Sequence, residues 1–461
     1  MIEYNQIIDQ NPWWIDKQYL PEETSWPHRD LFSKVSRDIS KNLIQLITGL
    51  RRVGKSTILK QIISQLLKEN VPPDHILYFS FDKHAILKKS ATFESLIDIY
   101  LNQRLQKRIF EMSDRVYLFI DEIQYVDYWQ DIIKRYYDIN KTMKFIISGS
   151  QSIKLQGKSK ESLAGRLIEY KASILSIREY LNISDFNGNY QTIWDCQLSY
   201  PGFNALYDYY YKYQLLLEKE LPKYLCYGQF PETFQFSDDI SFSYEYIKEA
   251  VLGKVLEVDI PIHYKIEKVQ EFKLMAYHLL TNSSSFFELQ NIGRELGLSK
   301  ATVEKYFLYL KNAYIIDVLY KYSKSSVQKG RSLKKAYAGS TNFITAINNY
   351  QCHYYDEFPE IFGKIIETYV WQRLTKLFEK VSFWRKGKNE IDFLVNDHSL
   401  PTNTLLIEVK FKNTIRYKEI KYLLAHAAEI NSKTVIVITK STLELKKNSG
   451  IDTYFIPYYL L

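Results

Sequence analysis

Residues 42–61 read NLIQLITGLRRVGKSTILKQ: an apolar strand from Leu43 to Thr48, a turn bearing two glycines, and a helix opening at Lys55. Within it Gly49, Gly54, Lys55 and Ser56 satisfy G-x-x-x-x-G-K-[ST]. A loop of this kind turns its backbone N–H groups onto phosphates, and the helix N-terminus behind it adds positive potential. Lys55 then reaches the β and γ phosphates and the Ser56 hydroxyl binds Mg²⁺, with Thr57 beside it in the first turn. Arg51 and Arg52, inside the loop, are candidate contacts to nucleotide or to a partner. The motif needs a strand before it and a helix after it, and both are present. The stretch therefore predicts a P-loop α/β core that binds ATP or ADP with Mg²⁺.

The expected companions follow in chain order. VYLFIDEIQ, residues 116–124, is an unbroken buried-strand pattern ending in Asp121 and Glu122. A parallel sheet presents residues at such a position to its ligand crevice. Asp121 is expected to hold Mg²⁺ through water and Glu122 to polarise the attacking water. A third strand, Lys144 to Ser148, ends in SGSQS, and Ser148 is the candidate sensor of the γ-phosphate.

These blocks, together with SLAGRLIEYKASILSIREYL at 162–181, resemble the AAA-superfamily ATPases of archaea and bacteria that carry a C-terminal domain of restriction-endonuclease-like type. The resemblance makes the first block Walker A, IDEIQ Walker B with its catalytic Glu122, and SGS the sensor-1 region. It also makes Arg166, after Gly165, the arginine that completes the γ-phosphate site in cis or in trans. An arginine supplied by a neighbouring subunit would require a homo-oligomer. YLCYGQFPE at 224–232 is similar to the family's Y-L-x-x-G-G-[FY]-P-E, with Gln229 standing where the pattern has its second glycine. The opening NPWW also looks like that of archaeal members, and Trp13 and Trp14 are expected to pack on the core.

Residues 185–250 are Tyr-rich and partly helical in pattern, with Pro222 and Pro231 as punctuation, and predict a helical lid and linker. From about 271 the order becomes helix, turn, second helix, hairpin, with Gly297 in the turn and Ser299 capping the second helix. This is a winged-helix pattern, and the resemblance implies the same. Lys321, Lys324, Lys329, Arg331, Lys334 and Lys335 follow with no acid among them, interleaved with Tyr320, Tyr322 and Tyr337. Such a run suits a groove that tracks a nucleic-acid backbone, and equally a solvated wing or a protein-docking surface.

Further on come an amphipathic helix with Glu367 (361–374), the segment VSFWRKGKNEIDFLV with Asp392 (381–395), the strand LLIEVKFKN with Glu408 and Lys410 (405–413), and TVIVIT (434–439). Glu408 and Lys410 are two apart and share a strand face. Two carboxylates can hold Mg²⁺ or Mn²⁺ against a scissile phosphate, and a neighbouring lysine can orient water. The resemblance assigns Glu367, Asp392, Glu408 and Lys410 to the PD-(D/E)xK nuclease pattern, with Ile391 where the archetype has proline. A nuclease fold that binds without cutting remains the alternative.

The 461 residues, 46% hydrophobic and with 28 Gly or Pro, describe several folded domains and exclude a single small module. The predicted order is an ATPase core with N-terminal extension (1–180), helical lid and linker (181–265), winged helix (266–340) and restriction-endonuclease-like α/β domain (341–461). The net charge of +8 permits nucleic acid, and DNA is the expected partner. Three cysteines are too few for a disulfide framework, and no stretch has the length of a membrane helix, so the expectation is a cytoplasmic protein with no membrane partner. The leading reading is an ATP-driven machine on DNA. Its rival is a nucleotide-controlled switch whose C-terminal half binds a protein, or binds DNA without cleaving it.

Overall fold

The computed structural model describes residues 2–82, 90–150, 163–184, 186, 188–196, 198–323, 333–350, 357–398, 400, 404–430, 432–448 and 450–461. They form two compact units, 1–179 and 180–461.

The first unit is built on five strands: β1 (Ile44–Gly49), β2 (Ile76–Ser80), β3 (Val116–Asp121), β4 (Met143–Gly149) and β5 (Leu167–Ala172). Their order is β2-β3-β4-β1-β5 and every pairing is parallel. Continuous apolar runs such as ILYFS and the wholly buried β1 and β4 belong to strands covered on both faces. The helix Lys55–Lys68 supplies one cover by burying Ile58, Leu59, Ile62, Ile63 and Leu66.

The two sheet edges are treated differently. On β5, Glu169 and Lys171 point outward, a charged edge that discourages further strand pairing. The β2 edge is capped by side chains of the N-terminal segment. Asn11 donates Nδ2 to the Tyr78 carbonyl (2.8 Å) and accepts the Tyr78 N–H (2.7 Å), while Gln10 accepts the Ser80 N–H (2.8 Å). The indole N–H groups of Trp13 and Trp14 both donate to the Ile76 carbonyl, at 3.1 and 2.8 Å. NPWW thus does the hydrogen bonding of a sixth strand without being one, and both tryptophans are buried.

The second unit opens with helices. Tyr200–Cys226 is one helix of 27 residues, and Pro222 lies inside it, where sequence reading expected punctuation. The missing N–H costs one rung, and burial of Leu217, Leu221 and Leu225 around it outweighs that cost. Gln229 is fully buried: its side-chain oxygen accepts from the Ser340 hydroxyl (2.6 Å) and the Thr341 N–H (3.0 Å), so the departure from glycine becomes a cap for the helix Thr341–Asn348. The helices Val269–Thr281, Leu289–Glu295 and Lys300–Asn312 precede an antiparallel hairpin of β6 (Ile316–Tyr320) and β7 (Lys334–Ala338). Gly297 takes a positive φ of 63° between the last two helices, and the Ser299 hydroxyl accepts the Thr302 N–H at 3.2 Å.

After the helix Pro359–Leu377 a six-stranded sheet completes the chain: β8 (Val381–Lys386), β9 (Asn389–Asn396), β10 (Thr404–Val409), β11 (Thr434–Thr439), β12 (Glu444–Asn448) and β13 (Ile451–Pro457). The order is β12-β13-β11-β10-β9-β8, with β10, β11 and β13 mutually parallel and the rest antiparallel. The helix Tyr417–Glu429 packs Ile420, Leu423, Leu424 and Ala427 against Ile391, Leu406, Val435, Val437 and Phe455. No helix among the described residues is long and apolar enough to cross a membrane.

Candidate active site

The phosphate loop begins at Gly49, the β1 residue paired with Ala172 of β5. A Cβ on Gly49 would stand 2.2 Å from the Ala172 carbonyl oxygen, so no other residue fits without separating the strands. Gly54 and Arg52 both have positive φ, 84° and 62°, which folds the loop back on itself ahead of the helix at Lys55. Lys55 is buried, and its ammonium donates to the carbonyls of Leu50 (2.8 Å) and Gly49 (3.4 Å). It is thus held over the loop mouth. Ser56 and Thr57 are half-buried in the first turn, whereas the Arg52 side chain is exposed. Arg51 donates to the Tyr125 hydroxyl at 2.6 Å, which ties the loop to the segment after β3.

Asp121 ends β3, buried, with three donors on its carboxylate: the Tyr78 hydroxyl (3.0 Å), the Ser148 hydroxyl and the Glu122 N–H (3.1 Å). Ser148, expected as a γ-phosphate sensor, therefore addresses Asp121 directly. Glu122 leaves the strand with φ 55°, in the left-handed region. Its carboxylate accepts from the Gln124 amide, whose oxygen in turn accepts the Ser150 N–H (3.0 Å) at the end of β4. Burial pushes the Glu122 carboxyl above the usual carboxylate range, with Lys55 opposing the shift and Asp121 adding to it. Lys55, Ser56, Asp121 and Glu122 thus come from the carboxyl ends of β1 and β3, two strands apart in the sheet. The set fits a nucleotide-bound Mg²⁺: a hydroxyl and a carboxylate of the hard-oxygen type, beside a lysine and a loop of backbone donors.

Arg166 lies elsewhere. Register pairs Ile44 with Leu167 and Gly49 with Ala172, so Arg166 is at the amino end of β5 and the phosphate loop is at the other. About 17 Å of strand intervenes at ~3.3 Å per residue. Its guanidinium pairs with Asp138 at 2.8 Å. The cis alternative is thereby corrected: parallel register puts this side chain out of reach of its own phosphate loop.

Sequence reading missed Arg29. This buried side chain, from the N-terminal extension, donates to the Val53 carbonyl inside the phosphate loop (2.5 Å), to the Ser173 and Ile174 carbonyls (3.0 and 3.3 Å), and to Glu179 (2.8 and 3.0 Å). Glu179 also accepts the N–H groups of Asp30 (3.0 Å) and Ser176 (2.7 Å). Burial alone would raise this carboxyl, but Arg29 and the backbone donors overcome that and hold it down at about 2. Tyr78 and Gln124 were missed as well, since nothing in their local sequence distinguishes them from core and loop residues.

The C-terminal carboxylates do converge, with an unexpected member. Glu408 is buried, and its carboxylate accepts from Lys410 Nζ (2.6 Å), the Tyr422 hydroxyl and, at 3.4 Å, the Asp392 N–H. The other side of the Asp392 carboxylate accepts the Val409 N–H at 2.8 Å. Glu367 accepts from the Tyr337 hydroxyl (2.6 Å) and from Lys335 Nζ (2.9 Å). That same ammonium is 2.6 Å from Glu390 and 3.7 Å from Asp392. Burial and mutual repulsion with Asp392 raise the carboxyls of Glu367 and Glu408, to about 7 and about 8. Among the described residues no group of three or more His, Cys, Asp or Glu is arranged to hold a metal ion. The donor set does not fit the expected Mg²⁺ or Mn²⁺, because Lys335 already stands among the carboxylates.

Lys335 was expected on an exposed basic run and is only 3% exposed, so it cannot grip a nucleic-acid backbone from that position. Lys324, Lys329 and Arg331 lie outside the described residues. Lys334 lies 5.7 Å over the Tyr320 ring.

Comparison with known proteins agrees with the first unit's geometry. Residues 41–181 match a family described as an AAA domain, and this segment is an AAA-type P-loop ATPase domain with a parallel α/β sheet. Residues 218–342 and 362–459 match two domains of unknown function, DUF8612 and DUF4143. The uncharacterized protein MJ1544 of Methanocaldococcus jannaschii is 28% identical over 88% of this chain and 85% of its own length. An uncharacterized protein of Haemophilus influenzae is 23% identical over 91% of this chain and 94% of its own. Among solved structures, the Thermotoga maritima RuvB Holliday junction branch migration motor overlaps 62% of this chain and 88% of its own at 15% identity. Its TM-score of 0.30 is too low to bear on function.

Proposed function

We propose that the protein is a Mg²⁺-dependent ATPase whose cycle acts on a C-terminal half of winged-helix and restriction-endonuclease-like build, with DNA as the partner. The observation that carries the enzymatic part is the convergence of Lys55 with Asp121 and Glu122 at the carboxyl ends of β1 and β3. Lys55 exchanges its two loop carbonyls for the β and γ phosphates, and Gly49, Arg52, Gly54 and Thr57 line the loop that receives them. Ser56 and Asp121 hold Mg²⁺, which supplies charge neutralisation at the γ-phosphate. Ser148 and Tyr78 orient the Asp121 carboxylate. Glu122, positioned by Gln124, polarises the attacking water. Arg166 serves the γ-phosphate of a neighbouring copy, which makes the working form a homo-oligomer.

For the second unit the proposed division keeps the boundaries 181–265, 266–340 and 341–461. Support for the winged helix comes from the order helix, helix, hairpin with Gly297 and Ser299 at the turn. Support for the restriction-endonuclease-like domain comes from the strand order around β9 and β10 and from Asp392, Glu408 and Lys410. Lys335 among these acids favours binding over cutting, so cleavage is no part of the proposed function. The deciding experiment is ATP hydrolysis measured alone and with single-stranded, double-stranded and branched DNA. Mg²⁺-dependent turnover stimulated by one of them is expected. Turnover that no DNA alters, together with DNA binding insensitive to salt, would favour a protein partner.

A further inference from the structure

The cation nearest the C-terminal carboxylates belongs to the chain itself. Lys335 projects from the hairpin strand β7 into a space walled by Glu367 of the helix Pro359–Leu377 and by Glu390 and Asp392 of β9. The rings of Phe286 and Phe383 lie 5.5 and 5.9 Å from its Nζ and screen it from water. An ammonium buried to this degree is tolerable only beside negative charge, and acids this close are tolerable only beside positive charge. Each therefore requires the other. Arg385 lies 3.8 Å from Glu390 and Lys410 2.6 Å from Glu408, both on more exposed side chains than Lys335. A divalent ion placed against Asp392 would meet the ammonium already there, and like charges at such range repel strongly.

We propose that Lys335 is the resident cation of this cluster: the hairpin lysine occupies the place of a divalent metal, and its removal opens a divalent-cation site on Asp392 and Glu408. The inference rests on the restriction-endonuclease-like reading of residues 341–461 and departs from it at the metal. The cluster then clasps the hairpin to the C-terminal sheet, and metal chemistry there becomes available only when Lys335 withdraws.

The test is Mn²⁺ binding to the full-length chain without nucleotide, followed by electron paramagnetic resonance of free Mn²⁺. Asp392→Asn serves as the control for binding elsewhere. Wild type is expected to take up no Mn²⁺ that Asp392→Asn removes. Lys335→Met, which keeps the length and loses the charge, is expected to gain one equivalent, abolished by adding Asp392→Asn. If Lys335→Met alone does not fold, the double variant Lys335→Met with Glu367→Gln relieves the repulsion, keeps Asp392 and Glu408, and is read the same way. An Asp392-dependent Mn²⁺ ion in wild type overturns the role of Lys335 while favouring the restriction-endonuclease-like reading. A folded Lys335→Met variant that gains no Mn²⁺ overturns the proposal that Lys335 stands in for a metal and leaves the restriction-endonuclease-like reading, which rests on strand order, untouched. The assay contains no ATP, so failure of the ATPase proposal does not touch its outcome.

Discussion

Arg29 and Glu179 are joined by a buried ion pair, 2.8 Å from Nε to Oε1, and the same guanidinium donates to the Val53 carbonyl of the phosphate loop. The N-terminal extension is thereby wired to the nucleotide site through one side chain. Arg29→Ala strands the Glu179 charge without its partner, and loss of about 3–5 kcal/mol is expected in urea unfolding of the first unit. Nucleotide affinity should fall with it, because Val53 is no longer held. Arg29→Lys, which keeps the charge but not the fork of donors, should recover only part of either quantity.

The same pair sets a pH dependence. The Glu179 carboxyl is lowered from 4.5 to about 2, so its stabilisation is fully present above about pH 4.5 and lost as pH falls toward 2. The amount is about 3 kcal/mol. Unfolding free energies of wild type and Arg29→Ala, followed between pH 5 and pH 2, should converge on acidification.

Glu122 must be ionised to polarise water, and its carboxyl is raised by burial. ATP turnover should therefore fall on the acid side at a pH above the usual carboxylate value, because protonation removes the base. Glu122→Gln should bind ATP and lose about 10²–10⁴-fold in turnover. Lys55→Ala should instead lose nucleotide affinity. Equal turnover in wild type and Glu122→Gln would remove Glu122 from the mechanism.

Gly49→Ala adds a methyl 2.2 Å from a backbone oxygen that cannot swing aside. The strands β1 and β5 must part, and the mouth of the phosphate loop moves with them. Loss of ATP binding together with a lower melting temperature is expected, whereas Gly165→Ala, with nothing within 4 Å but a positive φ of 75°, should cost only backbone strain of order 1 kcal/mol. Calorimetry and fluorescent-nucleotide titration of the two variants separate these effects.

The nucleotide site was legible in the linear chain because its parts are contiguous by chemical necessity: a strand, a phosphate loop and a helix start must follow one another, and two acids must end a buried strand. The helix-to-helix turn with Gly297 and Ser299, and the carboxylates Asp392 and Glu408, were legible for the same reason, since turns, caps and strand alternation are local. Tertiary structure alone decided the rest. Arg29 meets Glu179 across 150 positions, and no periodicity announces a contact of that separation. Arg166 follows a matching motif, yet parallel register carries it to the far end of the sheet. Lys334 and Lys335 are indistinguishable neighbours in a basic run, but opposite faces of one strand send the second alone among Glu367, Glu390 and Asp392. Whether a charge is solvated or buried depends on which opposite charges the folded chain brings within ion-pair range, a property of pairing in space that no stretch of sequence contains.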